Sequence, residues 1–148
     1  DPDWFLDWGA LWKGTARISN CSNQMISPQL YRDHVLPRDA RFFDQVGGGR
    51  MHYCGITPEV IEDFFTVPSI TGLDFDFNLH DLYGLCGRAP RQLVLTSAVP
   101  LCHDSPAIRR LLAGDWPAKR NIIVTVSAPS LEDGKRLLDQ LRGSIPYT

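Results

Sequence analysis

The chain has 148 residues, of which 43% are hydrophobic and 22% charged, a composition typical of one globular domain with a sizeable core. Its net charge is −2, and no basic run is interleaved with aromatic residues, which excludes the charge pattern of a nucleic-acid-binding protein. No apolar stretch approaches the roughly 18 residues of a membrane span, and no signal segment opens the sequence. We therefore expect a cytoplasmic protein whose four cysteines are free thiols.

The first 14 residues form a lead-in segment before the strand–helix units of the chain. Trp4, Trp8 and Trp12 lie at helical spacing within it, which predicts a packing stripe. Residues 15–20 follow as the first predicted strand. The strand–helix units are predicted to cover residues 15–142.

A helix is predicted to begin at Ser27-Pro28, with serine as N-cap and proline at the first helical position. Pro37 is expected to kink or split this helix, because proline lacks the amide hydrogen that the helix needs. Gly47-Gly48-Gly49 ends it, since glycine accepts the left-handed conformation of a helix C-terminus.

Strands and helices alternate along the rest of the sequence. The further predicted strands are 51–54, 70–77, 91–99 and 121–126. The further predicted helices begin at Thr57 and span 79–85, 105–112 and 130–142. Five strand–helix units of this kind predict parallel strands joined by right-handed crossovers. An open doubly wound sheet and part of a (β/α)8 barrel both fit this pattern, and a full barrel needs about 250 residues.

Polar side chains follow the predicted strands at their carboxyl ends, where parallel α/β folds bind ligands. The candidate site residues at this edge are Asn20, Cys21, His52, Cys54, Asp74, Asp76, His80, Cys102 and His103. We interpret Asn20, Cys21, Asp76 and His80 as substrate-binding residues. The concentration of cysteine and histidine at one edge is the main functional signal.

His52 and Cys54 lie two residues apart in a predicted strand, so both side chains point to the same face. Imidazole nitrogen and thiolate sulfur are zinc ligands, and a catalytic zinc site needs three protein ligands and an open position. Cys102 is our choice for the third ligand and His80 the second choice, with His103 and Cys21 as further alternatives. A buried cysteine beside a hydrogen-bonded histidine is the competing interpretation.

Asp74 and Asp76 also share one face of a strand. Either carboxylate fits a role in binding a substrate group or in acid catalysis. The alternative is that they cap the next helix or pair with an arginine. We count Asp74 with His52 and Cys54 as a catalytic candidate.

Three motifs in register resemble the uroporphyrinogen decarboxylase superfamily over about residues 15–98. Ile26-Ser27-Pro28-Gln29-Leu30-Tyr31 with Val35-Leu36-Pro37 resembles its SPE-x-Y/F…LP helix. His52-Tyr53-Cys54-Gly55 is similar to the H-x-C-G of its corrinoid methyltransferase branch, and Gly72-Leu73-Asp74 is similar to its G-L/V-D strand.

The resemblance implies that residues 1–148 are the C-terminal part of a (β/α)8 TIM barrel. It implies either decarboxylation of a tetrapyrrole without a cofactor, or transfer of a methyl group from a corrinoid to a zinc-activated thiol. In the second case His52 and Cys54 supply two zinc ligands. We expect a small-molecule substrate, allow for a homodimer, and expect no nucleic-acid or membrane partner.

The sequence departs from the family pattern near its end. The methyltransferases carry a third zinc-binding cysteine and the decarboxylases a histidine after a late strand, where this chain has Val126-Ser127-Ala128. This departure favours the alternative function, a non-catalytic binding or scaffold barrel that has lost the chemistry. The density of cysteine and histidine at the strand ends favours the enzyme.

Overall fold

The computed structural model describes residues 3–118 and 121–146. The predicted domain 1–148 also includes 1–2, 119–120 and 147–148, which lie outside the described residues. Within them the chain folds as a short hairpin followed by a five-stranded sheet flanked by helices.

The lead-in segment is a β-hairpin. Strands β1 (Trp4–Asp7) and β2 (Ala10–Lys13) pair antiparallel. Trp8 and Gly9 form the turn with φ angles of 51° and 73°, and such left-handed pairs match the twist of a two-residue hairpin. The predicted helical stripe of tryptophans is therefore wrong. Trp8 lies in the turn, and of the three tryptophans only Trp12 is buried.

The predicted parallel sheet is confirmed. Its strands are β3 (Ala16–Ser19), β4 (Gly49–His52), β5 (Ile70–Phe75), β6 (Val94–Ser97) and β7 (Asn121–Ile123). They are parallel and lie in sequence order, β3-β4-β5-β6-β7. The order does not reverse among the described strands, so the sheet lacks the reversal of strand order that defines a doubly wound fold.

The helices follow the predicted positions within a few residues. They are α1 (Pro28–Leu30), α2 (Leu36–Val46), α3 (Pro58–Phe64), α4 (Leu82–Arg88), α5 (Pro106–Leu112) and α6 (Leu131–Ser144). The serines at the predicted helix starts cap their helices: Ser27, Ser105 and Ser130 each accept a hydrogen bond from the amide three residues later. Thr57, at the predicted start of α3, is its N-cap residue but forms no side-chain cap hydrogen bond.

The break predicted at Pro37 is a π-helical turn over Tyr31–Val35, which joins α1 to α2. Pro37 lies in the first turn of α2, where its missing amide hydrogen interrupts the regular bonding pattern. Beyond the turn, Asp39 accepts a hydrogen bond of 3.1 Å from the Tyr31 hydroxyl. Gly47, with φ of 81°, ends α2 as predicted.

The two faces of the sheet differ in chemistry. One register row contains Ile18, Met51, Leu73 and Leu95, which pack in or against the apolar core with the helices. The flanking rows, which face the other way, contain Arg17, Arg50 and Gly72, then Ser19, His52, Asp74 and Thr96. The hairpin covers part of this polar face. The Trp12 ring occupies the space that a side chain on Gly72 would fill.

The isolated chain is expected to self-associate, because β3 and β7 are sheet edges and the hairpin exposes an apolar pair. Leu6 and Leu11 face each other across the hairpin and are 75% and 62% exposed. Sedimentation velocity should show dimers or larger species whose proportion falls in L6K/L11K. The control is L131K, at a leucine on α6 that is 77% exposed. A monodisperse wild-type monomer would contradict the prediction.

Candidate metal centre

Three potential metal ligands meet at the carboxyl ends of β3 and β4. One ligand atom each from Cys21, His52 and Cys54 lies within 4.8 Å of the other two. The pairing of β3 with β4 brings them together, since the Asn20 amide donates to the His52 carbonyl oxygen at 2.9 Å. Cys21 begins a 3-10 turn directly after this bond, and Cys54 lies two residues beyond the end of β4.

The chemistry of this group fits a zinc ion. Tetrahedral zinc with sulfur at 2.3 Å and nitrogen at 2.0–2.1 Å holds its ligand atoms about 3.5–3.8 Å apart. Three donors already within 4.8 Å of one another need only small side-chain adjustments to reach that spacing. Among the described residues the group has three members, which leaves one tetrahedral position for water or substrate.

His52 is held by a buried carboxylate. Its Nδ1 lies 2.6 Å from Oδ2 of Asp74, which is fully buried. A hydrogen bond to Asp74 therefore occupies Nδ1 and leaves Nε2 as the nitrogen free to bind a metal. Carboxylates that orient metal-binding histidines in this way fix the tautomer and raise the basicity of the ligand.

Asp74 is in turn paired with Arg50, which is only 1% exposed. Nε and a terminal nitrogen of Arg50 lie 3.0 Å and 2.8 Å from the two carboxylate oxygens, a bidentate arrangement. Arg50 also pairs with Asp7 of the hairpin and lies over the Trp12 ring, 4.7 Å from its centre. A continuous polar network thus joins the hairpin to His52.

The two thiols of the group contact each other. A hydrogen bond with the Cys21 thiol raises the pKa of Cys54, and partial burial adds to the increase. Cys54 is therefore harder to deprotonate than an ordinary cysteine. Zinc binds cysteine as the thiolate, so metal binding has to displace the proton and its affinity is expected to increase with pH.

Two of the predicted substrate-binding residues, Asn20 and Asp76, form hydrogen bonds within the chain. The Asn20 side chain donates to Asp39, which burial leaves with a raised pKa. Asp76 accepts hydrogen bonds from the Asn78 amide at 2.8 Å and from its side chain at 3.1 Å. Asp76 thus caps a turn before α4, whose own N-cap is Asp81. The alternative of pairing with an arginine is the one that holds for Asp74, through Arg50.

His80 supports the segment that contains Cys54. Its Nε2 lies 2.8 Å from the Gly55 carbonyl oxygen, which can only accept, so Nε2 carries the hydrogen. Its ring packs edge-on against Phe75 and near Tyr53. Nδ1 is buried and has no hydrogen-bond partner among the described residues. His80 is not a member of the Cys21–His52–Cys54 group that could hold a metal ion.

Cys102, our sequence-based choice for the third ligand, lies elsewhere. It lines a cavity of about 640 Å³ with His103, Ser127 and Arg136, between the β6–α5 loop and α6. Cys102 is not a member of the group that could hold a metal ion, and Cys21 is its third member instead. Cys86 is buried in the core.

Sequence reasoning missed Arg50 altogether. It was not considered as a site residue, since β4 was expected to begin at residue 51. The strand begins at Gly49 and therefore places Arg50 and His52 on the same face. An arginine two residues before the histidine was the available signal.

None of the helices in the described parts of the chain is long and apolar enough to cross a membrane. Comparisons with protein-family models, with curated proteins and with solved structures find no match for the chain.

Proposed function

We propose that the chain binds one zinc ion through Cys21, His52 and Cys54, and that this centre activates a thiol substrate for alkyl transfer. The observation that carries the proposal is the convergence of the three ligand atoms within 4.8 Å. Two thiolates and one neutral imidazole are a ligand set that zinc prefers to magnesium or calcium.

A catalytic rather than a purely structural centre is supported by its open side. Structural zinc sites have four protein ligands, and this group has three among the described residues. Cys54 is exposed, so the fourth position is within reach of a substrate from solution. A zinc ion supplies Lewis acidity, which lowers the pKa of a bound thiol and keeps it as a nucleophilic thiolate.

The roles of the protein's own residues follow from the geometry. Asp74 occupies Nδ1 of His52 and so leaves Nε2 for the ion, and Arg50 holds the Asp74 carboxylate in place. Asp74 is fully buried, so we propose that it positions His52 instead of contacting substrate. The two cysteines contribute two negative charges when deprotonated, which balance the charge of a divalent ion.

For the fold, we propose that the five strands form a sector of a (β/α)8 barrel, with the polar face of the sheet towards its interior. The sequential strand order and the placement of the ligands at the carboxyl edge support this. The resemblance to the corrinoid methyltransferases supports methyl transfer to a thiol over decarboxylation, because only that branch uses a histidine–cysteine pair for zinc. Cys21 would then replace the family's late cysteine.

The proposal predicts one zinc ion per chain, measured by elemental analysis of protein prepared without chelators. H52A, C54A and C21A should each lose most of it, since two remaining ligands bind zinc far more weakly. C102A is the matched control, because Cys102 is also an exposed cysteine at a strand end but lies outside the group. It should retain full zinc content.

Full zinc content in C21A, or its loss in C102A, would contradict the proposed ligand set. A chain without zinc after dialysis against micromolar Zn²⁺ would remove the metal centre and leave the non-catalytic barrel as the better function. Alkylation of a simple thiol by a methyl donor, measured with and without zinc, then separates a catalytic centre from a structural one.

A further inference from the structure

We propose that Cys21 and Cys54 are a redox-active pair, which peroxide converts to a disulfide when the centre holds no metal. The disulfide itself is inferred from the geometry of the two thiols. The protective effect of zinc rests on the proposed function. The site thus has two exclusive states, a metal-binding dithiol and a disulfide that cannot bind zinc.

The backbone brings the two cysteines into a geometry that a disulfide accepts. Ser19 is in register with His52 and the Asn20 amide bonds to the His52 carbonyl oxygen, so the chain enters Cys21 beside the end of β4. The ends of neighbouring strands are about 4.8 Å apart, and disulfides span Cα separations of 4.4–6.8 Å, so residues that follow β3 and β4 directly start close enough for a link. Their sulfur atoms already lie within 4.8 Å of each other.

The pair is also accessible to an oxidant. Cys54 is exposed and Cys21 is partly exposed, whereas Cys86 is buried in the core. Cys102 is exposed, but no other cysteine lines its cavity. Oxidation of Cys102 therefore has no partner thiol within reach in the described structure, and only Cys21 and Cys54 are placed to resolve each other.

The reaction balances with hydrogen peroxide as the oxidant. The thiolate of one cysteine attacks a peroxide oxygen, the O–O bond breaks, and the sulfur becomes a sulfenic acid while hydroxide leaves. The second thiol then attacks that sulfur, the S–O bond breaks, and water leaves as the disulfide forms. Two thiols are oxidised and one peroxide is reduced to two waters in total.

Stoichiometric peroxide should therefore remove two of the four thiols of the metal-free full-length chain. The intact mass should fall by about 2 Da, because two hydrogens are lost. Peptide mapping should find the Cys21–Cys54 link, and the oxidised chain should no longer bind Zn²⁺ until a dithiol reductant restores it. Added Zn²⁺ should slow the loss of the two thiols.

Matched variants locate the reaction. C86A and C102A should still lose two thiols, whereas C21A and C54A should show no fall of 2 Da and should accumulate sulfenic or sulfinic acid instead. A disulfide that includes Cys102, or a metal-free wild type that gains oxygen without losing two hydrogens, would overturn the proposal. If the link forms but Zn²⁺ never binds, the proposed function fails while the redox-active pair stands.

Discussion

Replacing Arg50 with methionine is expected to lower the free energy of unfolding by roughly 3–5 kcal/mol, the range for breaking a buried ion pair. The reason is that Asp74 would remain fully buried without the guanidinium that balances its charge. Methionine keeps most of the aliphatic volume of the Arg50 side chain, so lost packing does not account for the whole decrease in the free energy of unfolding. Urea unfolding followed by far-ultraviolet circular dichroism measures it.

Arg17 provides the matched control. It lies in register with Arg50 on the neighbouring strand, and it also pairs with Asp7, at 3.4 Å. It is exposed, so R17M should cost no more than about 1 kcal/mol. The double variant R50M/D74L removes both buried charges and should recover part of the loss. Equal effects of R50M and R17M would show that the buried pair does not stabilise the fold as we infer.

Replacing Asp74 with asparagine is expected to weaken zinc binding about 10- to 100-fold, the usual effect of losing a carboxylate that orients a metal-binding histidine. The amide oxygen can still accept from His52 Nδ1, but it has no charge to raise the basicity of the ring. Competition with a chromophoric chelator measures the affinity, at a temperature where the variant's melting curve shows it folded.

Asp76 offers a control on the same segment. It lies two residues after Asp74, caps the turn at Asn78, and is not a member of the Cys21–His52–Cys54 group. D76N should leave zinc affinity unchanged within about twofold, since no group that binds the ion depends on it. If D74N binds zinc as tightly as D76N does, Asp74 serves the fold and not the metal centre.

Local sequence signals were sufficient for most of the fold. Apolar runs such as Asn121–Val126 marked strands, and Ser27, Ser105 and Ser130 marked helix starts, because hydrophobic spacing and capping act over a few residues. Strand ends were less well predicted, and β4 is two residues out of place at each end. The hairpin was missed because a four-residue spacing of tryptophans fits a helix as well as two strands and a turn.

The site was harder to predict because it depends on contacts between distant segments. His52 and Cys54 were recognised from their spacing, but the third ligand depends on where the chain goes after β3 and β6. The 3-10 turn that begins at Cys21 keeps this residue beside β4, whereas the loop after β6 directs Cys102 towards α6. Neither path is encoded in the periodicity of the sequence. The Arg50–Asp74 pair joins residues 24 positions apart.

The π turn at Tyr31–Val35 accommodates one extra residue and so sets which face of α2 lies towards Tyr31. A π turn contains one residue more than a regular helix, so deleting a single residue there would restore an ordinary α-helix. If the turn became α-helical with no residue removed, everything after it would instead rotate by about 100° around the helix axis, since each residue contributes that angle. Asp39 would then lie away from Tyr31 and Asn20, and the segment that leads into Cys21 would lose the side chain that anchors it.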